Sequence, residues 1–309
     1  MTDFLMKPKI DFAFKEIMAD ETARIGFLSA ILKLDPKEIK ETHLLNTNLR
    51  KIHDDEKQGI LDVRIFMNDD TEIDIEIQLA ELKVWADRSL FYLSKMYTEQ
   101  IQKGQTYDVF KKCVSISILN FILFSKDSEF YSCFRIMEEK RHTIYTDKME
   151  FHVIELPKLP EEWKEENQEI LLWAKFINAE RKEEFEVLAE KDSYINHAYQ
   201  QLQIISQDKE KRLEYEAREK AIRDYNQLML EAKQNGREEG RKEGWEEGRK
   251  EGREEGRKEG REEGIGIGKE KEAIRIAKDL LLLNIPDETI IKSTRLTIEQ
   301  LKSLKNNIK

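Results

Sequence analysis

The sequence predicts an α/β protein followed by a long helical tail, and three features of its 309 residues support this assignment. Short segments alternate apolar and polar residues with a period of two, which is typical of strands. Other segments place apolar residues at helical spacing. A glycine occurs at every fourth position from Gly236 to Gly264 within a run of charged residues, which marks a region of different composition.

The first candidate site is a short hairpin. Segments 61–67 and 72–79 both alternate apolar and polar residues, and an Asn- and Asp-rich turn lies between them. Asp62 would lie on the first strand, and Glu76 and Gln78 on the polar face of the second. If these strands pair, two carboxylates can bind one cation.

The register of the hairpin decides whether these side chains meet. Antiparallel partners share a face of the sheet, so Asp62 faces the same side as Glu76 only if paired position numbers sum to an even value. An unbulged loop then has an odd number of residues, and a pairing of Asp62 with Ile77 would exclude the site. Asp74 also lies on the polar face, without a ligand role. The alternative is an ordinary half-buried strand whose acids are solvated.

A first predicted helix covers residues 10–17, where apolar side chains recur at helical spacing. Asp11 and Lys15 lie four positions apart on another face of this helix. The pair is either an ordinary surface ion pair or a source of polar groups for the active site.

A second predicted helix covers residues 87–103, and Gly104 follows it where a left-handed residue is easily accommodated. Arg88, Tyr92 and Lys95 fall along one stripe of this helix. The stripe could hold a phosphate through Arg88 and orient the nucleic-acid strand through Tyr92. A core contact is the alternative for Tyr92.

Further strands and helices are predicted downstream. The predicted strands cover 113–124, 131–137 and 151–156, and the predicted helices cover 161–178 and 194–234. The last of these helices is rich in charged residues and has few residues able to build a core, so we interpret it as an exposed or partner-packing helix rather than as a catalytic domain.

Four stretches, in this order, resemble the Rpn group of bacterial proteins, the recombination-promoting nucleases also called PD-(D/E)XK nuclease family transposases. The stretches are DFAFKEIM at 11–18, GILDVR at 59–64, IDIEIQLA at 73–80 and the segment from Arg88 to Phe124. The resemblance implies a PD-(D/E)XK restriction-endonuclease-like core, in which helices flank a mixed sheet. It also implies that Asp62, Glu76 and Gln78 are the D…(D/E)XK residues.

The resemblance implies a DNA endonuclease that uses Mg²⁺ or another divalent cation, held by Asp62 and Glu76 through oxygen atoms. Gln78 departs from the superfamily pattern, which has Lys, but fits the ExQ pattern of the Rpn group. A glutamine can form a hydrogen bond with the attacking water but adds no positive charge. The metal, Arg88 or Lys95 would then have to stabilise more of the negative charge of the transition state. The alternative is a non-catalytic DNA-binding or oligomeric scaffold that retains the nuclease fold.

Composition limits the other possibilities. The chain has 63 acidic against 53 basic residues, which argues against binding nucleic acid mainly through general phosphate neutralisation. Its two cysteines, Cys113 and Cys133, indicate no disulfide framework, and its five histidines form no sequence motif for zinc. No signal peptide or membrane span is evident, so we expect a cytoplasmic protein that does not bind membranes.

The tail is predicted to be helical, but its glycine repeat makes an isolated helix weak. Each glycine in a helix interior costs about 1 kcal/mol relative to alanine, so the repeat favours a frayed or self-associating spacer over a stable isolated helix. The alternative is a low-complexity linker.

We predict a nuclease domain at 1–205, a charged helical linker with GxxxG spacing at 206–268 and a small helical module at 269–309. The tail would then make the protein a homo-oligomer, with the tail helices forming a coiled coil.

Overall fold

The computed structural model describes residues 4–48, 61–68, 70–162 and 167–306. The chain forms two compact units, Met1–Gln227 and Leu228–Lys309. The predicted division at residues 205 and 268 stays a prediction, although the first turns of the tail helix belong to the first unit. Parts of the sequence predictions lie outside the described residues: positions 59–60 and 69 near the hairpin, 163–166 of the predicted helix 161–178, and the chain ends at 1–3 and 307–309.

The first unit contains a six-stranded mixed sheet. Its strands are β1 (Thr42–Leu44), β2 (Val63–Met67), β3 (Thr71–Gln78), β4 (Lys112–Leu119), β5 (Tyr131–Met137) and β6 (Ile144–Glu155). They are arranged in the order β1-β2-β3-β4-β6-β5. β4 runs parallel to β3 and β6, whereas the other neighbours are antiparallel. The predicted mixed sheet is therefore confirmed.

Helices flank this sheet and continue into the tail. They are α1 (Asp11–Ala19), α2 (Glu21–Leu32), α3 (Trp85–Glu99), α4 (Gln168–Asn178), α5 (Lys182–Ala189), α6 (Ser193–Gln207), α7 (Lys209–Leu282), α8 (Asp287–Thr294) and α9 (Ile298–Asn306). The predicted long C-terminal helical region is confirmed. Among the described residues, no helix combines the length and apolar character needed to cross a membrane.

Strand β3 has different surroundings on its two faces. Ile73, Ile75 and Ile77 belong to the main hydrophobic core, together with side chains of α1, α2, α4 and α6. On the opposite face Glu72, Asp74 and Glu76 are also buried. The period of two was predicted correctly, but the alternative of solvated acids on this strand is wrong.

The charged segment 194–234 does not behave as one exposed helix. Its first part is α6, which buries Ile195, Leu202 and Ile205 in the main core, and α7 begins separately at Lys209. Tyr215 on α7 is also fully buried. The interpretation as a helix outside the core is therefore wrong for α6 and for the first turns of α7.

The second unit has a small core of its own. Ala277, Ile290, Leu296 and Leu301 are buried together. A capping box begins α9, because Thr297 N donates to Gln300 Oε1 at 2.8 Å and Gln300 N donates to Thr297 Oγ1 at 3.2 Å. The glycine repeat lies within α7, and its residues are exposed.

Candidate active site

The hairpin brings Asp62 and Glu76 together. Val63 pairs with Ile75, so the paired numbers sum to an even value, and continuing this register places Asp62 beside Glu76. Three positions separate the paired residues Met67 and Thr71, an odd number. The register prediction is therefore confirmed, although Asp62 lies at a bend just before β2 rather than within the strand.

Hydrogen bonds hold both carboxylates in place. Asp62 N donates to Glu76 Oε1 at 3.1 Å, and Ile77 N donates to Asp62 Oδ2 at 3.0 Å. Each acid thus accepts a backbone N–H from the neighbouring segment. These bonds fix the two side chains on the same edge of the hairpin.

The electrostatics of this pair favour a cation. Burial raises the pKa of Asp62 to about 6. The hydrogen bond from Ile77 N lowers this pKa, and the charge of the nearby Asp11 carboxyl raises it further. Burial and the charge of Asp62 raise the pKa of Glu76 to about 8. A divalent cation would relieve this repulsion, and carboxylate oxygens are the ligands that Mg²⁺ prefers. The residues present therefore fit a divalent metal.

Gln78 is the last residue of β3 and is half-buried. Its Nε2 donates to Ala80 O at 3.0 Å. The side chain lines a cavity of about 400 Å³ together with Asp11, Arg88 and Arg218. The amide thus shares this cavity with the Asp11 carboxylate and two arginines.

The stripe on α3 reaches the site through Arg88. Arg88 Nη2 lies 3.5 Å from Glu76 Oε2, and Arg88 Nε donates to the Tyr92 hydroxyl at 3.1 Å. The guanidinium also lies over the rings of Trp85 and Tyr92, at 5.3 and 5.2 Å from their centroids. Tyr92 is buried in a small hydrophobic cluster, and its hydroxyl positions Arg88. Lys95 Nζ lies 5.9 Å from the centroid of the Phe91 ring, and its role at the site stays a prediction.

The first helix contributes Asp11 and Lys15. Arg218 on α7 pairs with the Asp11 carboxylate, with Arg218 Nε donating to Asp11 Oδ1 at 2.9 Å. Asp11 and Lys15 line a second cavity, of about 590 Å³, that also contains Asp62 and Arg218. The structure therefore places both predicted α1 residues in a cavity with Asp62.

Sequence reasoning missed Arg218, because it lies in the charged segment that we expected to be a linker. A usable signal was present. Tyr215 and Ile222 are seven positions apart and pack against the core, and Arg218 lies one turn from Tyr215 on the same side.

Asp74 is more unusual than the sequence suggested. It pairs in register with Ser115 on β4 and is fully buried. Within the part of the chain that the structure describes, neither Asp74 oxygen nor Ser115 Oγ has a hydrogen-bond partner. Burial, together with the charges of Glu76 and Asp62, raises the pKa of Asp74 well above its usual range.

The opposite face of the sheet holds a cluster that the sequence did not indicate. Cys133, Glu150 and His152 bring potential ligand atoms within 4.8 Å of one another. Glu150 is already paired with Lys112 at 2.5 Å and with Arg135. Because two cations already neutralise this carboxylate, we interpret the cluster as an ion-pair network.

A mixed sheet flanked by helices, with two adjoining carboxylates beside Arg88 and Arg218, is the arrangement expected of a nuclease domain. Residues 8–232 match the family described as PD-(D/E)XK nuclease family transposase, and the chain belongs to this family. The predicted family is therefore confirmed, and membership indicates a nuclease. The chain has no significant match among curated proteins or among solved structures.

Proposed function

We propose that this protein is a metal-dependent DNA endonuclease that hydrolyses phosphodiester bonds. The observation that supports this most strongly is the placement of Asp62 and Glu76, side by side, with Glu76 buried and Asp62 partly buried, each fixed by a backbone N–H. DNA is the substrate that membership in a nuclease and transposase family suggests. A role in recombination or mobile-element biology is the biological setting that we propose.

Asp62 and Glu76 would hold the divalent cation. When bound, the metal would polarise the scissile phosphate and lower the pKa of the attacking water. In hydrolysis the water oxygen forms a bond to phosphorus as the P–O ester bond breaks. The water loses a proton to solvent, and the leaving oxygen gains one. Gln78 can accept a hydrogen bond from the attacking water through its side-chain oxygen, and Arg88 can stabilise negative charge on the phosphate.

The test is metal-dependent nicking of a supercoiled plasmid by the purified full-length protein. Asp62→Ala and Glu76→Ala each remove a cation ligand, so we expect either to abolish nicking in Mg²⁺ while the fold survives. Asp147→Ala is a matched control, because Asp147 is an exposed acid on β6. Gln78→Lys is expected to preserve or raise activity, since it adds a cation near the developing charge. Nicking that persists in purified Asp62→Ala protein would refute the proposal.

A second candidate is a non-catalytic DNA-binding or oligomeric scaffold. Two observations favour it: Gln78 brings no positive charge, and the net charge of the chain is −10. A scaffold would bind DNA without nicking it, and Asp62→Ala would leave that binding unchanged. The plasmid assay and a DNA-binding assay on the same preparations separate the two functions.

The tail is proposed to make the protein a homo-oligomer. Glycine at every fourth position leaves a line of α7 without side chains, and nothing lies within 4 Å of the Cβ position of any glycine in the repeat. Such a line allows a second helix to approach closely.

We also propose a cytoplasmic location, because two cysteines do not indicate the disulfide framework of a secreted protein.

A further inference from the structure

The first turns of α7 are fixed against the N-terminal segment and α1 at three points. Lys211 Nζ lies 2.5 Å from Glu16 Oε2, and the buried Tyr215 accepts a hydrogen bond from Lys7 N at 3.1 Å. Arg218 pairs with Asp11 one turn later. These contacts hold one end of a long charged helix at a defined position beside the hairpin.

Arg218 occupies the wall between the two cavities at the site. It lines the cavity that contains Gln78 and Arg88, and it also lines the cavity that contains Asp62. Asp11, its ion-pair partner, lines both as well. A phosphodiester held beside the two carboxylates would therefore meet the guanidinium of Arg218.

We propose that Arg218 is a catalytic residue that contacts the scissile phosphate and supplies the positive charge that Gln78 does not. This inference rests on the proposed function, because it assumes a phosphodiester at Asp62 and Glu76. The charge then comes from a helix far along the chain rather than from β3. In this role α7 is part of the active site.

The chemistry of the side chain suits this role. Arginine is always charged and offers five N–H donors in a planar fork that matches the geometry of a phosphate. Asp11 engages the Nε and Nη2 groups of Arg218 and so orients the plane of the guanidinium. Arg88 is less suited, since it already bonds to Glu76 and Tyr92 and lies over two rings.

The deciding experiment compares Arg218→Ala with Lys211→Ala in full-length protein. Both variants remove one ion pair between α7 and α1, but Lys211 lies outside both cavities as the structure describes them. Steady-state nicking of a supercoiled plasmid in Mg²⁺ gives kcat and KM, and thermal unfolding reports the fold. We expect Arg218→Ala to lower kcat about 100-fold with a smaller change in KM, the effect of losing one preorganised donor to transition-state charge.

The control variants sharpen this result. Lys211→Ala is expected to keep kcat within about two-fold, with an unfolding shift like that of Arg218→Ala, because partly exposed ion pairs contribute little to stability. Arg218→Lys should recover part of the lost kcat, since it keeps the charge but not the fork. An unchanged kcat in Arg218→Ala, or an equal loss in Lys211→Ala, would overturn the inference.

Failure of the proposed function has a different signature. If the native protein does not nick DNA, that function fails, and the contact between Arg218 and phosphate is then decided by fluorescence anisotropy with a duplex oligonucleotide. Several-fold weaker binding by Arg218→Ala than by Lys211→Ala would support the phosphate contact. Equal binding by the two variants would overturn it.

Discussion

Acidic side chains are concentrated in two regions with opposite surroundings, strand β3 and the glycine repeat of α7. On β3, Glu72, Asp74 and Glu76 are 5%, 0% and 3% exposed. In the repeat, the glutamates between Gly236 and Gly264 are all exposed. The same residue type therefore has different energetic consequences in the two regions.

Burial forces each acid on β3 to find a partner or to stay neutral. Glu72 is paired with Arg64, and Glu76 bonds to Arg88 and to Asp62 N. Asp74 has no partner among the described residues. In the repeat, water solvates the charges, and pairs at i, i+4 add only a few tenths of a kcal/mol each. Burial of the acids, rather than their density in the sequence, therefore marks the site.

The largest expected effect on stability comes from removing the cation that neutralises Glu72. Arg64 pairs with both Glu72 and Glu99, and all three side chains are largely buried. Arg64→Met removes the cation that pairs with both acids, one of them buried, so we expect a loss of about 3–5 kcal/mol in the free energy of unfolding. Urea denaturation followed by tryptophan fluorescence measures it.

The matched control is Arg257→Met in the glycine repeat, where the arginine is exposed. Its expected effect is within about 0.5 kcal/mol, as for most surface substitutions. Similar losses in the two variants would show that burial of the acids on β3 does not make their cation more important for the free energy of unfolding.

A second effect on stability, with a defined pH dependence, is expected for Asp74→Asn. The pKa of Asp74 is raised in the folded protein by burial and by the charges of Glu76 and Asp62, so the folded state keeps a proton that the unfolded chain releases. Stability of the native sequence therefore falls as pH rises above the unfolded pKa of about 3.9, by up to about 1.4 kcal/mol per pH unit from this group. Asparagine does not titrate.

The stability of Asp74→Asn relative to the native sequence should thus increase between about pH 4 and pH 7. Urea denaturation in EDTA across this range measures the difference without interference from metal ions. A difference that stays constant with pH would contradict the assignment of a neutral Asp74. Asparagine is used rather than alanine, because alanine would leave a cavity at this fully buried position.

Local patterns in the sequence were sufficient for much of the hairpin and its neighbours. The period of two predicted which face of β3 each side chain occupies, and the turn length agreed with the observed register. The strand predicted at 131–137 matches β5, and Gly104 has the predicted left-handed conformation with φ of 91°. The helix before Gly104, however, ends at Glu99 rather than at the predicted residue 103. These features depend on neighbouring residues, which is why the sequence reveals them.

Other features depend on contacts between distant parts of the chain. Nothing near Arg218 in the sequence indicates that it pairs with Asp11, and Asp74 looks like any other acid on an alternating strand. The burial of α6 was missed because its apolar residues are diluted by polar ones in a long charged stretch. The predicted bounds of 113–124 and 151–156 were also shifted, since β4 ends at Leu119 and β6 begins at Ile144.

The smallest expected effect on the first unit is that of removing the tail. Truncation at about residue 235 retains Tyr215 and Arg218 and leaves out the glycine repeat, so we expect a folded protein with unchanged nicking activity. Truncation at residue 208 is the contrasting variant, because it removes the buried Tyr215 and is expected to cost about 3–5 kcal/mol. Sedimentation of the full-length and 235-residue proteins tests self-association, which we expect to be lost with the repeat. An unchanged mass per particle would show that the exposed charges and glycines of α7 do not bring two chains together.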